Sequence, residues 1–219
     1  MRILALDAAL ARCSVAVLEG DTVLAHEAAP GGRGQPAILA PMAQRVLAAS
    51  GLAAPALDGI AVTVGPGSFA GLRSAISLAQ GLALAAGKPV VGVRVAEALA
   101  ATLALPPSRA LWVAIDSRRN RVFLDRGGEI APVALDALPR PPGPVALAGD
   151  AAIAVASRLA ARGEDVMLTD ARLPDAAAVA RVGGLRLSGG LPPLAAQPLY
   201  IDPPEAKLPA GGLRPAPVP

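Results

Sequence analysis

Leu111-Trp112-Val113-Ala114-Ile115-Asp116 is an apolar run that ends on an aspartate, and the chain opens in the same way with Ile3-Leu4-Ala5-Leu6-Asp7. Behind each run comes a polar turn and then a second strand-like stretch, Cys13–Leu18 in one copy and Arg121–Asp125 in the other. A glycine-bearing hairpin follows, Glu19-Gly20-Asp21 or Arg126-Gly127-Gly128-Glu129, and then a third strand, Thr22–Glu27 in the first copy. Short apolar runs bounded by turn residues read as buried strands, and glycine at the connection suits a hairpin. Aspartate, hairpin and strand recurring in register predict a duplicated α/β unit.

The rest of each unit is helix and strand in alternation. Ile38, Leu39, Met42, Val46 and Leu47 recur at three- and four-residue spacing, which predicts a helix over Gln35–Ser50 stopped by Gly51. Pro41 lies deep for a helix start. A strand at Ile60–Val64, a helix over Ser74–Ala86, a strand at Val90–Val93 and a helix over Ala96–Leu103 follow, ending before Pro106-Pro107. The second copy is shorter, with a strand at Val145–Ala148, a helix over Ala151–Arg162, a strand at Val166–Leu168 and a helix over Asp175–Leu187. Beyond Gly189-Gly190 the prolines imply an extended tail. The expected architecture is α/β, with two lobes built from a duplicated β-β-β-α-β-α unit and the second lobe abbreviated. Residues 1–105 form the first lobe, and residues 106–219 the second with its proline-rich tail.

Composition narrows the function classes. The 219 residues are 53% apolar but only 2% aromatic, so the core is built from Ala, Val, Leu and Ile. With 20 basic against 17 acidic side chains the net charge is +3. That excess is small, and few aromatic rings are available to stack bases, which argues against an autonomous nucleic-acid binder. Cys13 is the single cysteine, so no intramolecular disulfide forms and a reducing compartment fits. Asp7 comes too early for a signal peptide, and charges or prolines interrupt each apolar span short of about 20 residues. A cytoplasmic protein without a membrane segment is expected.

The stretch Gly65-Pro66-Gly67-Ser68-Phe69-Ala70-Gly71-Leu72-Arg73 joins a strand to a helix. Gly65-x-Gly67-x-x-Ala70 satisfies a dinucleotide fingerprint, but the next strand ends at Arg94 with no carboxylate before Glu97. No Gly-Lys-Ser/Thr follows, so a Walker phosphate loop fails as well. A tight turn that delivers a small-faced helix into packing explains the same residues. Asp7 and Asp116 stand where the actin and sugar-kinase ATPases place aspartates for metal and water. Ala8-Ala9-Leu10 lacks the glycine and hydroxyl of a phosphate cradle, however, and Arg118-Arg119 puts bulk after Asp116. Both aspartates read as caps of strand ends or turns. His26, the only histidine, has no partner at ligand spacing, and Cys13 reads as a core thiol. The helices over Gln35–Ser50 and Ser74–Ala86 are expected to lie side by side. Their expected shared apolar face uses Ile38, Leu39, Met42, Leu72, Ala75, Ile76 and Ala79. A fully intramolecular core is the competing reading. On the first, Ala75→Glu blocks association and leaves the monomer folded.

Several of these segments together resemble the TsaB family, also called YeaZ. They are Ile3–Asp7, Cys13-Ser14-Val15-Ala16, Leu57–Val62, Gly65–Arg73, Ala79-Gln80-Gly81-Leu82-Ala83, Pro89–Val93, Ile115–Arg119 and Pro198-Leu199-Tyr200-Ile201. The resemblance implies an actin-like ATPase (ribonuclease H-like) fold and a non-catalytic role in making threonylcarbamoyladenosine on tRNA. It also implies a TsaD-like catalytic paralogue and a TsaE-like ATPase as partners, a homodimer in the absence of TsaD, and tRNA met only through the complex. The seven-residue helix face is, on this resemblance, the partner interface. No catalytic, cofactor-binding or metal-binding residue is implied, and a nucleotide would be compatible only with the interface of the assembled complex. TsaD holds its metal through a His-x-x-x-His pair, whereas Gly34-Gln35-Pro36-Ala37-Ile38-Leu39 contains no histidine. Gln35-Pro36 and Val122-Phe123-Leu124 depart from the family pattern. The alternative is a small-molecule kinase or ATPase of the same superfamily. That reading calls for a Gly-Gly adenosine loop, of which Gly183-Gly184 is a poor version.

Overall fold

Ten strands form two five-stranded sheets of matching topology. The first holds β1 (Arg2–Asp7), β2 (Arg12–Glu19), β3 (Thr22–Pro30), β4 (Gly59–Gly65) and β5 (Val90–Arg94), in the order β3-β2-β1-β4-β5. The second holds β6 (Ala110–Asp116), β7 (Arg121–Asp125), β8 (Ile130–Ala134), β9 (Val145–Ala148) and β10 (Val166–Leu168), in the order β10-β9-β6-β7-β8. Read from the other edge, the second order repeats the first strand for strand. Each unit is an antiparallel hairpin pair followed by two parallel additions. This is the actin-like, duplicated α/β fold. The computed structural model describes residues 1–31, 35–117 and 120–201. The loop Gly32-Arg33-Gly34, the Arg118-Arg119 pair and the tail beyond Ile201 lie outside the described residues.

The central strands show why continuous apolar runs were needed. All seven residues of β4 and five of the six in β1 are buried, since both faces of this sheet are covered. One face carries α1 (Gln35–Ser50) and α2 (Phe69–Ala86). Pro41 is inside α1 but on its exposed side, where water can satisfy the carbonyl that loses its donor. α2 begins at Phe69, five residues before the expected Ser74. Ser68 caps it by accepting from the Gly71 amide at 3.3 Å, and Gly71 faces the core, so these residues form the helix's first turns. By length and composition alone α2 is apolar enough to cross a membrane, contrary to the expectation of no such span. Its Leu72, Ala75, Ile76, Ala79 and Ala83 are buried in this chain's own core.

α3 (Val95–Ala100) is shorter than the sequence suggested, and α4 (Ala152–Ala161) covers the second sheet. No helix corresponding to α1 stands between β8 and β9 among the described residues, which is the abbreviation of the second unit. The last helix, α5 (Ala176–Leu187), crosses back and seals the other face of the first sheet. Its Ala176, Val179, Ala180 and Val182 pack with Ile3, Ala5, Ala16, Leu18 and Ala61. A Cβ on Gly183 would overlap the Ala61 side chain, so the helix lies very close to the sheet. Arg186, 7% exposed, locks this docking. It donates to Glu97 at 2.8 Å and to the carbonyls of Gly92 and Pro192 at 2.8 and 2.7 Å. Residues 191–201 then run as a strap along edge strand β5 and the end of β4, with Gly92 N donating to Leu194 O and Leu199 N to Val64 O, both at 2.8 Å.

Candidate functional site

Between the two sheets lies a cavity of about 590 Å³, lined from the first unit by Leu10, Ser68 and Phe69 and from the second by Asp116, Phe123 and Asp150. A glycine loop at a strand-to-helix turn, such as the one after β4, can offer its amides to a phosphate, and so can the turn after β1. Here they bind each other. The Ser68 amide donates to the Ala9 carbonyl at 2.7 Å, and a Cβ on Gly67 would overlap that same carbonyl. The loop's second glycine therefore serves a backbone-to-backbone contact, the tight-turn reading of the motif.

Asp7 is sealed beneath this contact with 0% exposure. Its Oδ1 accepts from the Thr63 hydroxyl at 2.7 Å and from the Ala9 amide at 3.1 Å, and its Oδ2 has no partner. Burial pushes its carboxyl up to about 7, against the lowering by Thr63 and Ala9. Asp7 thus caps the turn that follows it. Asp116, its counterpart, is exposed and lines the cavity. The Asp116 amide donates to Asp150 Oδ1 at 2.9 Å, and burial, with the Asp116 charge, raises the Asp150 carboxyl. The duplicated aspartates stand at equivalent strand ends in unlike surroundings. His26 Nε2 lies 3.0 Å from Asp175 Oδ2. Among the described residues no group of three His, Cys, Asp or Glu side chains is arranged to hold a metal ion. Cys13 is fully buried, and burial and the Asp7 charge push its thiol up.

α1 and α2 lie against one another, as expected. The face they present differs from the expected one. Leu39, Met42, Leu72, Ala75, Ile76 and Ala79 are all 5% exposed or less and belong to the main core, so only Ile38, at 37%, reaches the surface. The physical reason is that a single layer of helices turns its apolar stripe toward the sheet. A carboxylate at Ala75 would be buried in that core, so Ala75→Glu unfolds the chain instead of blocking association. The exposed surface of the pair mixes small residues, Ala37, Ala48, Ser77 and Gly81, with the long polar side chains Gln44, Arg45, Arg73 and Gln80, and has Ile38, Phe69 and Leu84 as apolar outliers. Phe69 and Leu84 are 61% and 86% exposed. Their position off the buried stripe was the sequence signal for this surface. Arg73 stacks over Phe69 at 3.7 Å and donates to the Tyr200 hydroxyl at 2.8 Å, tying the strap to the start of α2.

The family model TsaD, tRNA N6-adenosine threonylcarbamoyltransferase, matches residues 33–186. The tRNA threonylcarbamoyladenosine biosynthesis protein TsaB of Escherichia coli (strain K12) is 41% identical over 126 residues, 56% of this chain and 53% of that protein. A tRNA N6-adenosine threonylcarbamoyltransferase of Maricaulis maris (strain MCS10) is 50% identical over 52 residues, 24% of this chain and 14% of the enzyme. The solved structure of YeaZ from Pseudomonas aeruginosa superposes with a TM-score of 0.75 at 28% identity, covering 91% of this chain and 100% of that one. The match spans about half the length of the curated TsaB relatives.

Proposed function

The chain belongs to the TsaD family, within the group of proteins named TsaB and YeaZ, and from that membership we propose that it is a non-catalytic subunit of a cytoplasmic complex that makes threonylcarbamoyladenosine on tRNA. In this reading it docks a TsaD-like catalytic paralogue, works with a TsaE-like ATPase, pairs with itself when the paralogue is absent, and meets tRNA only through the assembly. It carries no cofactor of its own.

One observation supports the non-catalytic role most directly. The Ser68 amide and Gly67, which an anion at the glycine loop would need free, are closed onto the Ala9 carbonyl, and Asp7 is fully buried. The docking surface in this proposal is the outward side of α1 and α2. Gly81 is central to it: a Cβ there would meet nothing within 4 Å in the isolated chain, so a partner helix can approach closely.

The test combines the purified chain with the TsaD-like paralogue of the same organism, the adenylate-forming enzyme and tRNA, and measures the modified nucleoside by mass spectrometry. The chain alone is expected to hydrolyse no nucleotide, and adding it to the paralogue is expected to raise modification. Gly81→Arg should keep the fold and lose both co-sedimentation with the paralogue and stimulation. Nucleotide hydrolysis by the chain alone that Asp116→Asn abolishes would instead establish the kinase or ATPase reading.

A further inference from the structure

The chain passes between its two sheets twice, through residues 101–109 after α3 and through residues 169–175 after β10. Both crossings line a cavity of about 670 Å³, together with Arg12 at the start of β2. That volume falls within the range of small-molecule sites, roughly 300–1,000 Å³. Most polar groups on its wall are already engaged. Asp175 accepts from the Ala177 amide at 2.9 Å and lies 3.0 Å from His26, while Arg12 donates to the carbonyls of Leu173 and Pro174 at 3.0 and 2.6 Å. Thr102 and Thr169 donate their hydroxyl protons to Leu99 O and Leu147 O at 2.7 and 2.9 Å, which leaves only acceptor lone pairs on them.

Two charges on the wall remain unused. Arg172 makes no hydrogen bond or ion pair among the described residues; its Nη1 is closed to solvent, and Nε and Nη2 are the donors left accessible on the cavity wall. Accessible, unpaired guanidinium donors on a cavity wall are the groups a ligand's carboxylate can engage. Asp170, two residues away on the same wall, is exposed and has no hydrogen-bond or ion-pair partner among the described residues either. A simple anion drawn to Arg172 would meet Asp170, and a simple cation drawn to Asp170 would meet Arg172. A ligand carrying both charges a short distance apart suits both. Leu103 and Met167 supply an apolar wall beside them.

We propose that this cavity at the two crossings binds a small zwitterion, a free α-amino acid with an apolar side chain. Its carboxylate pairs with the Arg172 guanidinium, its ammonium with Asp170, and its side chain rests on Leu103 and Met167. Arginine suits the carboxylate because its planar donors match the two oxygens.

The experiment titrates L-leucine and L-methionine into the whole chain by calorimetry and by ligand-observed NMR. N-acetyl-leucine, leucinamide, acetate and inorganic phosphate serve as controls. Saturable binding of the free amino acids and not of the blocked ones is expected. Arg172→Gln and Asp170→Asn should each weaken that binding by about ten- to a hundredfold. Both side chains reach the surface, so both variants should keep the wild-type circular dichroism and melting in the absence of ligand. Absence of saturable binding for every apolar amino acid up to roughly 10 mM would overturn the proposal. So would phosphate or acetate binding as tightly as leucine with no effect of Asp170→Asn, since that defines an anion site.

Discussion

At the scale of single residues, Asp7 makes the sharpest statement. Its carboxyl titrates near 7 in the folded chain against an ordinary value of 3.8, because burial outweighs the hydrogen bonds from Thr63 and Ala9. Between those two values the folded state holds a proton that the unfolded state has released. Stability from this group is therefore complete below the lower value and is lost as pH rises toward the upper one, by roughly 4 kcal/mol at most. Asp125 and Asp150, also raised by burial, tilt the curve the same way, so the comparison that isolates Asp7 is with Asp7→Asn. The wild-type melting temperature should fall between about pH 4 and about pH 7, and that of the variant should fall distinctly less. Equal slopes would mean that Asp7 is ionised throughout. The sequence marked Asp7 as a turn cap, since no glycine or hydroxyl follows it. It could not show the burial, which comes from Thr63 on β4 and the glycine loop closing over the turn.

At the scale of elements, existence and type were legible almost throughout, and orientation was not. β7, β9 and β10 have the ends read from the sequence, because turn residues bound each of them. α2 starts earlier than its apolar period suggests, because Gly71, a loop signal in sequence, is a buried helical residue that admits close packing. Six of the seven residues expected on the shared outer face are instead buried in the chain's own core, for a related reason. Helical periodicity identifies the stripe that is buried, and a strand order is needed to decide what buries it. Two glycines separate these effects by experiment. Alanine is a better helix former than glycine by about 1 kcal/mol. At Gly81 nothing opposes that gain, so Gly81→Ala should stabilise the chain by about 0.5–1 kcal/mol. At Gly183 the new methyl would overlap Ala61, and overpacking of about 1–3 kcal/mol outweighs the propensity. Gly183→Ala should therefore lower the denaturant midpoint while Gly81→Ala raises it. A rise at both positions would place α5 farther from the sheet than described.

At the scale of the whole molecule, duplication was legible because strand, aspartate and hairpin recur in register, and both sheets follow the one strand order. The route of α5 was not legible. A local pattern locates a helix without saying which sheet it covers, and this one follows β10 yet seals β1, β2 and β4. The division near residue 105 separates the sheets, but the first sheet's second face is completed by residues 176–187. A fragment of residues 1–105 would expose Ile3, Ala5, Leu18 and Ala61 on that face. It should lack cooperative unfolding or aggregate, and adding residues 172–201 in trans should restore structure, as read by circular dichroism. Cooperative folding of the fragment alone would show that α5 is dispensable to the first sheet.

That same return of α5 sets an order of events during synthesis. The ribosome delivers the first sheet early, but the helix that closes it emerges only after the entire second sheet has been translated. At about 5–20 residues per second, the interval is on the order of ten seconds. For that time the nascent chain carries a finished strand array with one greasy side bare. A trigger-factor-type holdase should find its footing there, and slow codons placed between residues 110 and 175 would lengthen the exposure without changing the finished protein.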